Sequence, residues 1–89
     1  MISICFSSSF QRAYKKRIKG NLLLQKRFED KLEIFKKNPF EKSFFTHKLS
    51  GDLKDLMSFS IDYDVRVVFY FNSQGDAVFV DIGSHDAVY

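Results

Sequence analysis

The hydrophobic and polar positions of this 89-residue chain follow one period in its first half and another in its second. Ile2, Ile4 and Phe6 alternate weakly, which predicts a short strand over Met1–Phe6, and Ser7-Ser8-Ser9 then offers hydroxyls to cap a helix. Phe10, Ala13, Tyr14 and Ile18 recur at helical spacing, with Arg12, Lys15, Lys16 and Lys19 on the other side. Gly20-Asn21 interrupts that helix. Leu24, Phe28, Lys31 or Leu32, and Phe35 resume the 3.6-residue period up to Lys37, with Glu33 four residues before Lys37. Asn38-Pro39 ends the second helix, because proline cannot donate an N–H and pushes its predecessor out of the helical region. The two helices are expected to form a hairpin.

From Met57 the period is two: Met57, Phe59 and Ile61 alternate with Ser58, Ser60 and Asp62. Tyr63-Asp64 can turn the chain into Val65–Phe71, where Val65, Val67, Phe69 and Phe71 take one face and Arg66, Val68 and Tyr70 the other. The turn cluster Asn72–Asp76 separates this central strand from Ala77–Ile82, predicting an antiparallel hairpin, and Gly83-Ser84-His85 leaves the sheet for a short turn of helix. The reading is an α+β domain over residues 1–89, in the order β-α-α-β-β-β. Its helix hairpin packs on one face of an antiparallel sheet and leaves the other face open.

Composition narrows the class. Eleven Phe and four Tyr supply a core that disordered chains lack. No apolar run approaches the roughly 18 residues needed to span a bilayer, and Met1–Phe6 is too short for a signal-peptide core, so a cytoplasmic protein with no membrane partner is expected. Cys5 has no second cysteine to pair with, and no CxxC or HExxH pattern offers a metal or redox site. Cys5 is expected as a small buried residue of the first strand.

Charge is distributed unevenly. Residues 1–48 carry twelve Lys and Arg against four Asp and Glu, net +8, whereas residues 49–89 carry two against seven, net −5. A basic half suits an anionic partner, nucleic acid above all, though lysine-rich helices are also ordinary solvated faces. An arginine on a central strand needs an anion, and for Arg66 this is either Asp62 or Asp64 within the chain or a ligand on the open face. His47, Asp64, Arg66, His85 and Tyr89, with Ser60 nearby, are the residues equipped for chemistry. Histidine exchanges protons near neutrality, arginine grips phosphate in two-point contacts, and tyrosine stacks on a base or donates a proton. Together they suit RNA cleavage by the ribose 2′-OH, which needs a base, a cation at the phosphorane and an acid at the leaving oxygen. The RNA brings its own nucleophile, so neither metal nor cofactor is required.

His47-Lys48-Leu49-Ser50-Gly51, Asp62-Tyr63-Asp64-Val65-Arg66-Val67-Val68-Phe69-Tyr70 and Ile82-Gly83-Ser84-His85-Asp86-Ala87-Val88-Tyr89 together resemble the RelE/ParE toxin superfamily, in particular its YafQ-like branch. The resemblance implies a toxin of a type II toxin–antitoxin pair that cleaves mRNA in the ribosomal A site, with ribosome, mRNA and a cognate antitoxin as partners. It implies acid–base roles for His47, Asp64 and His85, a phosphate-holding role for Arg66, and a terminal aromatic role for Tyr89. Lys15, Lys16, Lys19, Lys48 and Ser60 are the expected RNA contacts. Ser60 departs from the pattern, standing where YafQ-like toxins carry another histidine. Two other readings of the same fold remain: a ParE-like DNA gyrase inhibitor without catalysis, and a catalytically weak homologue whose main partner is its antitoxin.

Overall fold

A computed structural model describes residues 1–49 and 55–88 of the chain. The elements are β1 (Ile4–Phe6), α1 (Ser8–Arg17), α2 (Leu22–Lys37), a single 3-10 turn (Lys42–Phe44), β2 (His47–Lys48), β3 (Met57–Asp62), β4 (Val65–Phe71), β5 (Ala77–Gly83) and α3 (His85–Val88). Both long helices start where the sequence offers a cap. The Ser7 hydroxyl accepts from the Phe10 N–H at 3.1 Å and the Asn21 carbonyl oxygen from the Leu24 N–H at 3.1 Å. Each such cap contributes about 1 kcal/mol by satisfying a donor that the first turn leaves without a partner.

The core lies between the helices and one face of the sheet, and phenylalanine fills most of it. Phe35 of α2 is fully buried, stacks on Phe59 of β3 at 4.6 Å, and meets Phe69 of β4 and Phe79 of β5 edge-on at 5.2 and 5.3 Å. Two turns earlier on the same side of α2, Phe28 packs on Tyr14 and Phe10 of α1, with centroids 5.3 and 5.8 Å apart. Tyr14's partial burial, and then the nearby Glu29 charge, raise its phenol above the ordinary tyrosine range. Offset and edge-on contacts of this kind suit the ring quadrupole.

The sheet has five strands in the order β1-β5-β4-β3-β2. It is mixed, which corrects the expectation of an antiparallel sheet: β3, β4 and β5 form the expected antiparallel meander, but β1 lies parallel to β5, Ile4 to Phe6 beside Ala77 to Phe79. The position of β1 follows from what comes after it. Past Phe79 the chain that was β1 has become α1, and α1 takes over the bonding of β5: Ser9 Oγ donates to the Val80 carbonyl at 2.7 Å and Arg17 Nη1 to the Ile82 carbonyl at 3.0 Å. The sheet edge is thereby covered. Strand β1 starts at Ile4, and as the outermost strand it leaves Cys5 exposed rather than buried.

At the opposite edge β2 pairs for only two residues, His47 with Ser58 and Lys48 with Met57. Just before it Phe45 adopts a left-handed conformation (φ 51°), which turns the preceding chain away and leaves β3 unpaired along its outer side from Phe59 on. A bulge at Ile61 shifts the β3–β4 register, so that Ser60 faces Arg66 but Asp62 faces Val65. On β4 the expected alternation holds: Val67 and Phe69 are buried and Val65 and Phe71 pack against the same cluster. The other face is open only in part, because Ser58 and Val68 near its centre are also buried.

Truncating Phe35 to Ala is expected to cost about 3–5 kcal/mol, the range for losing a buried aromatic from a close-packed core. Cys5→Ser should stay within about 0.5 kcal/mol, and urea unfolding midpoints compare the two. A second test concerns Gly83, where an added Cβ would come within 2.9 Å of Arg17 Cδ and 3.0 Å of its Nη1. Gly83→Ala should displace Arg17 from Asp81 and the Ile82 carbonyl and cost about 1–2 kcal/mol. In an Arg17→Ala background the same change should cost much less, which a double-mutant cycle measures.

Candidate functional site

The open outer side of β3 borders a cleft of about 520 Å³. Its inner wall is strand, from Ser60 to Asp62 with Arg66 alongside; the 3-10 turn region supplies Ser43 and Phe45, and α2 supplies Arg27 and Lys31. The cleft wraps the sheet edge because of the Ile61 bulge. Ser60 and Arg66 lie on the face away from the helices, whereas the register shift turns Asp62 toward α2, where Arg27 Nη1 reaches its carboxylate at 3.2 Å.

That ion pair decides the status of Arg66. Asp62, one of its two candidate partners, is taken by Arg27, and among the described residues Arg66 makes no ion pair. Its guanidinium has one long contact, 3.5 Å to the Tyr63 carbonyl. A half-buried cation in a cleft with that little engagement is available to an anion. Lys31 also makes no ion pair among the described residues. Its positive charge helps hold Glu41 below the ordinary carboxylate range, after the hydrogen bonds that the Ser43 hydroxyl and N–H donate to it.

The sheet register places the other expected residues around Arg66. Ser60 is directly opposite it on β3 and Gly83 directly opposite it on β5, two residues before His85. One row further along the sheet, His47, Ser58 and Val68 are successive partners, so His47 shares the face of Ser60 and Arg66. His47 is exposed, and its Nδ1 stands 2.8 Å from the Phe45 carbonyl. A carbonyl only accepts, so this contact puts the proton on Nδ1 and leaves Nε2 as the ring's acceptor. His85 is exposed at the first position of α3. With neighbouring strands about 5 Å apart, β2 and β5 set the two histidines on opposite sides of Arg66.

Other expected residues do not join this group. Asp64, exposed in the β3–β4 turn, lines a separate hollow of about 370 Å³ whose other walls include Ile18, Leu24, Ser84 and Ala87. It therefore approaches the α3 segment but not the Arg66 cleft. Lys15 and Lys16 are exposed on α1, which packs beside β5, and Lys19 lies just past the end of α1; none lines the cleft. Lys48 is exposed on β2 next to His47. Tyr89, and the Ser50-Gly51 part of the motif after His47, lie outside the described residues. The two helix cations that line the cleft together with Arg66, Arg27 and Lys31, are not among the expected RNA contacts, although their four-residue spacing marks them as neighbours on one side of α2. The described residues hold no group of three or more His, Cys, Asp or Glu placed to bind a metal ion, and no helix long and apolar enough to cross a membrane.

Residues 2–89 match the family described as bacterial toxin of type II toxin–antitoxin system, YafQ. No curated protein sequence matches the chain. Among solved structures, a copper-bound mutant toxin from Helicobacter pylori is 26% identical, with all of both chains covered and a TM-score of 0.73. YafQ from Escherichia coli strain BL21(DE3) superposes with a TM-score of 0.75 at 16% identity, over 100% of this chain and 99% of its own. A chain of the RelBE2 toxin–antitoxin complex from Mycobacterium tuberculosis gives 0.73 at 13% identity, over 94% of this chain and 98% of its own. The strand, helix hairpin and mixed sheet described above are thus the RelE-like fold, and a match over nearly the whole length makes this chain a member of the YafQ family of type II toxin–antitoxin toxins.

Proposed function

We propose that the chain is a ribosome-dependent endoribonuclease that cleaves mRNA in the A site and is neutralised by a cognate antitoxin in the cytoplasm. The observation that carries this reading is Arg66: a cation without an ion pair among the described residues, with an exposed histidine on either side of it across the sheet, in a chain whose family consists of toxins. The antitoxin partner is supported by the family and by the toxin–antitoxin complex among the structural neighbours.

In this mechanism the scissile phosphate binds Arg66, whose paired N–H donors meet two of its non-bridging oxygens. His47 Nε2 takes the proton of the ribose 2′-OH, and the oxygen attacks the adjacent phosphorus. Charge grows on the non-bridging oxygens as the phosphorane forms, so the guanidinium binds the transition state more tightly than the substrate. His85 protonates the departing 5′-oxygen, leaving a 2′,3′-cyclic phosphate. Asp64 acts beside α3, on the side of the hollow it shares with Ser84 and Ala87, and Tyr89 offers an aromatic ring to a codon base. Ser60, opposite Arg66, offers a hydroxyl to the same phosphate and no proton-transfer group near neutrality. Lys15, Lys16, Lys19 and Lys48 contribute to the attraction of ribosomal RNA.

Replacing His47, His85 or Arg66 singly with Ala is expected to slow cleavage of ribosome-bound mRNA by about 100-fold or more, the usual loss for an acid–base group or an oxyanion donor. Circular dichroism and urea midpoints should stay near wild type, since none of the three belongs to the buried core. Wild-type cleavage by both histidine variants would remove them from the chemistry, and a change in DNA supercoiling before any mRNA cut would favour gyrase inhibition. Chelation provides a separate check, sharpened by the copper-bound H. pylori neighbour. Because 2′-OH attack needs only proton transfer and a cation, EDTA at concentrations that keep ribosomes intact should leave the single-turnover rate unchanged. Loss of cleavage on chelation and recovery with added metal would contradict the mechanism.

A further inference from the structure

The cleft extends beyond Arg66 around the edge of β3, and its outer half has no part in the chemistry above. Arg27 and Lys31 stand one helical turn apart on α2 and face it, while Tyr63 and Phe45 stand at its rim with 95% and 74% of their surfaces exposed. Single exposed apolar side chains are ordinary on a surface; these two differ in lining one cleft together with cations. We propose that this outer half is a second RNA subsite that holds a single-stranded nucleotide flanking the cleaved one, with Lys31 and Arg27 on its phosphate and Tyr63, supported by Phe45, stacking on its base. The proposal rests on the reading of Arg66 as the phosphate-binding residue of an RNA-cleaving site.

Three observations favour single-stranded RNA as the occupant. The lining carries three cations, Arg27, Lys31 and Arg66, against one carboxylate, Asp62, and Asp62 is already paired with Arg27. Glu41, whose charge Lys31 and the Ser43 donors stabilise, does not line the cleft, so the lining itself keeps an excess of positive charge. Exposed rings beside such a field are the arrangement by which proteins hold unpaired nucleotides, because every base has a face to stack. The third observation excludes the competing occupant, an acidic peptide added as a sixth strand. Strand addition needs an even row of free N–H and C=O groups, and the bulge at Ile61 interrupts that row in the middle of the open edge.

The test is equilibrium binding of a fluorescent, uncleavable 2′-O-methyl octaribonucleotide, followed by anisotropy at several salt concentrations. Lys31→Ala is expected to weaken binding about 5-fold and to reduce the slope of log K against log salt by roughly 0.7, the value for one phosphate contact on a single strand. Tyr63→Ala should weaken binding about 10-fold at every salt concentration, and Tyr63→Phe should restore it. Tyr63 is almost fully exposed, so its variants fold as the wild type does. Wild-type affinity in both Lys31→Ala and Tyr63→Ala would overturn the subsite. So would an oligoglutamate peptide that binds more tightly than the RNA and loses its affinity in the same variants, since the cleft would then serve a protein. The parent reading fails separately: RNA binding that depends on Lys31 and Tyr63, in a protein that cuts no mRNA, keeps the subsite and removes the catalysis.

Discussion

The fold hangs on the contact between one ring and three strands. Phe35 touches Phe59, Phe69 and Phe79, one residue from each strand of the meander, and so fixes α2 in both position and rotation over the sheet. Phe28 repeats the contact two turns earlier against α1, which leaves the helix no freedom to roll. With Phe28 and Phe35 turned inward, Arg27, just before Phe28, and Lys31, between the two rings, are held at the edge of β3. The placement of cationic chemistry is thus a by-product of aromatic packing, and a helix rotated by one residue would lose both together.

The second constraint is local and lies in the backbone. Phe45 at positive φ precedes the β2–β3 pairing, which starts at His47, and the Ile61 bulge gives β3 one residue more than β4 requires. The first leaves the outer side of β3 open; the second sends Asp62 to Arg27 and away from Arg66. Had the register continued without the bulge, Asp62 would have stayed on the face of Ser60 and Arg66, next to the guanidinium. A short irregularity of strand pairing therefore keeps Arg66 available to an anion, an arrangement in keeping with the frequency of bulges near functional sites.

Most of the architecture was legible in the order of residues because its signals are local. The cap at Ser7, the interruption at Gly20-Asn21, the stop at Asn38-Pro39, the helical spacing of Phe28 and Phe35, and the alternation of Val65 to Phe71 each act within a few positions, and the structure has each of them in place. The misreadings all involve contacts between distant residues. Nothing near Ile4 states that its neighbour is Ala77 in parallel, and so neither the mixed sheet nor the exposure of Cys5 could be read there. The candidate site divides in the same way. Ser60 and Arg66 share one face because the period of two puts them there; His47 joins them only through the pairing of β2 with β3, which no local signal announces, and Asp64 in its turn belongs to another hollow. Periodicity identified two cationic helices without telling which would border the cleft, and α2, which packs on β3, does so while α1 lies at β5. Tyr89 lies outside the described residues.

These elements together suit a reaction in which the substrate carries its own nucleophile and the protein supplies a cation and two proton-transfer groups on a rigid sheet. The nature of the cut ends distinguishes that reaction from hydrolysis by an activated water. Ribosome-bound mRNA treated with the wild-type protein, its fragments analysed by mass spectrometry, should give 5′-hydroxyl ends downstream and 2′,3′-cyclic phosphate or 3′-phosphate ends upstream. Fragments carrying 5′-phosphate and 3′-hydroxyl ends would contradict the account, because attack by the 2′-OH cannot produce them.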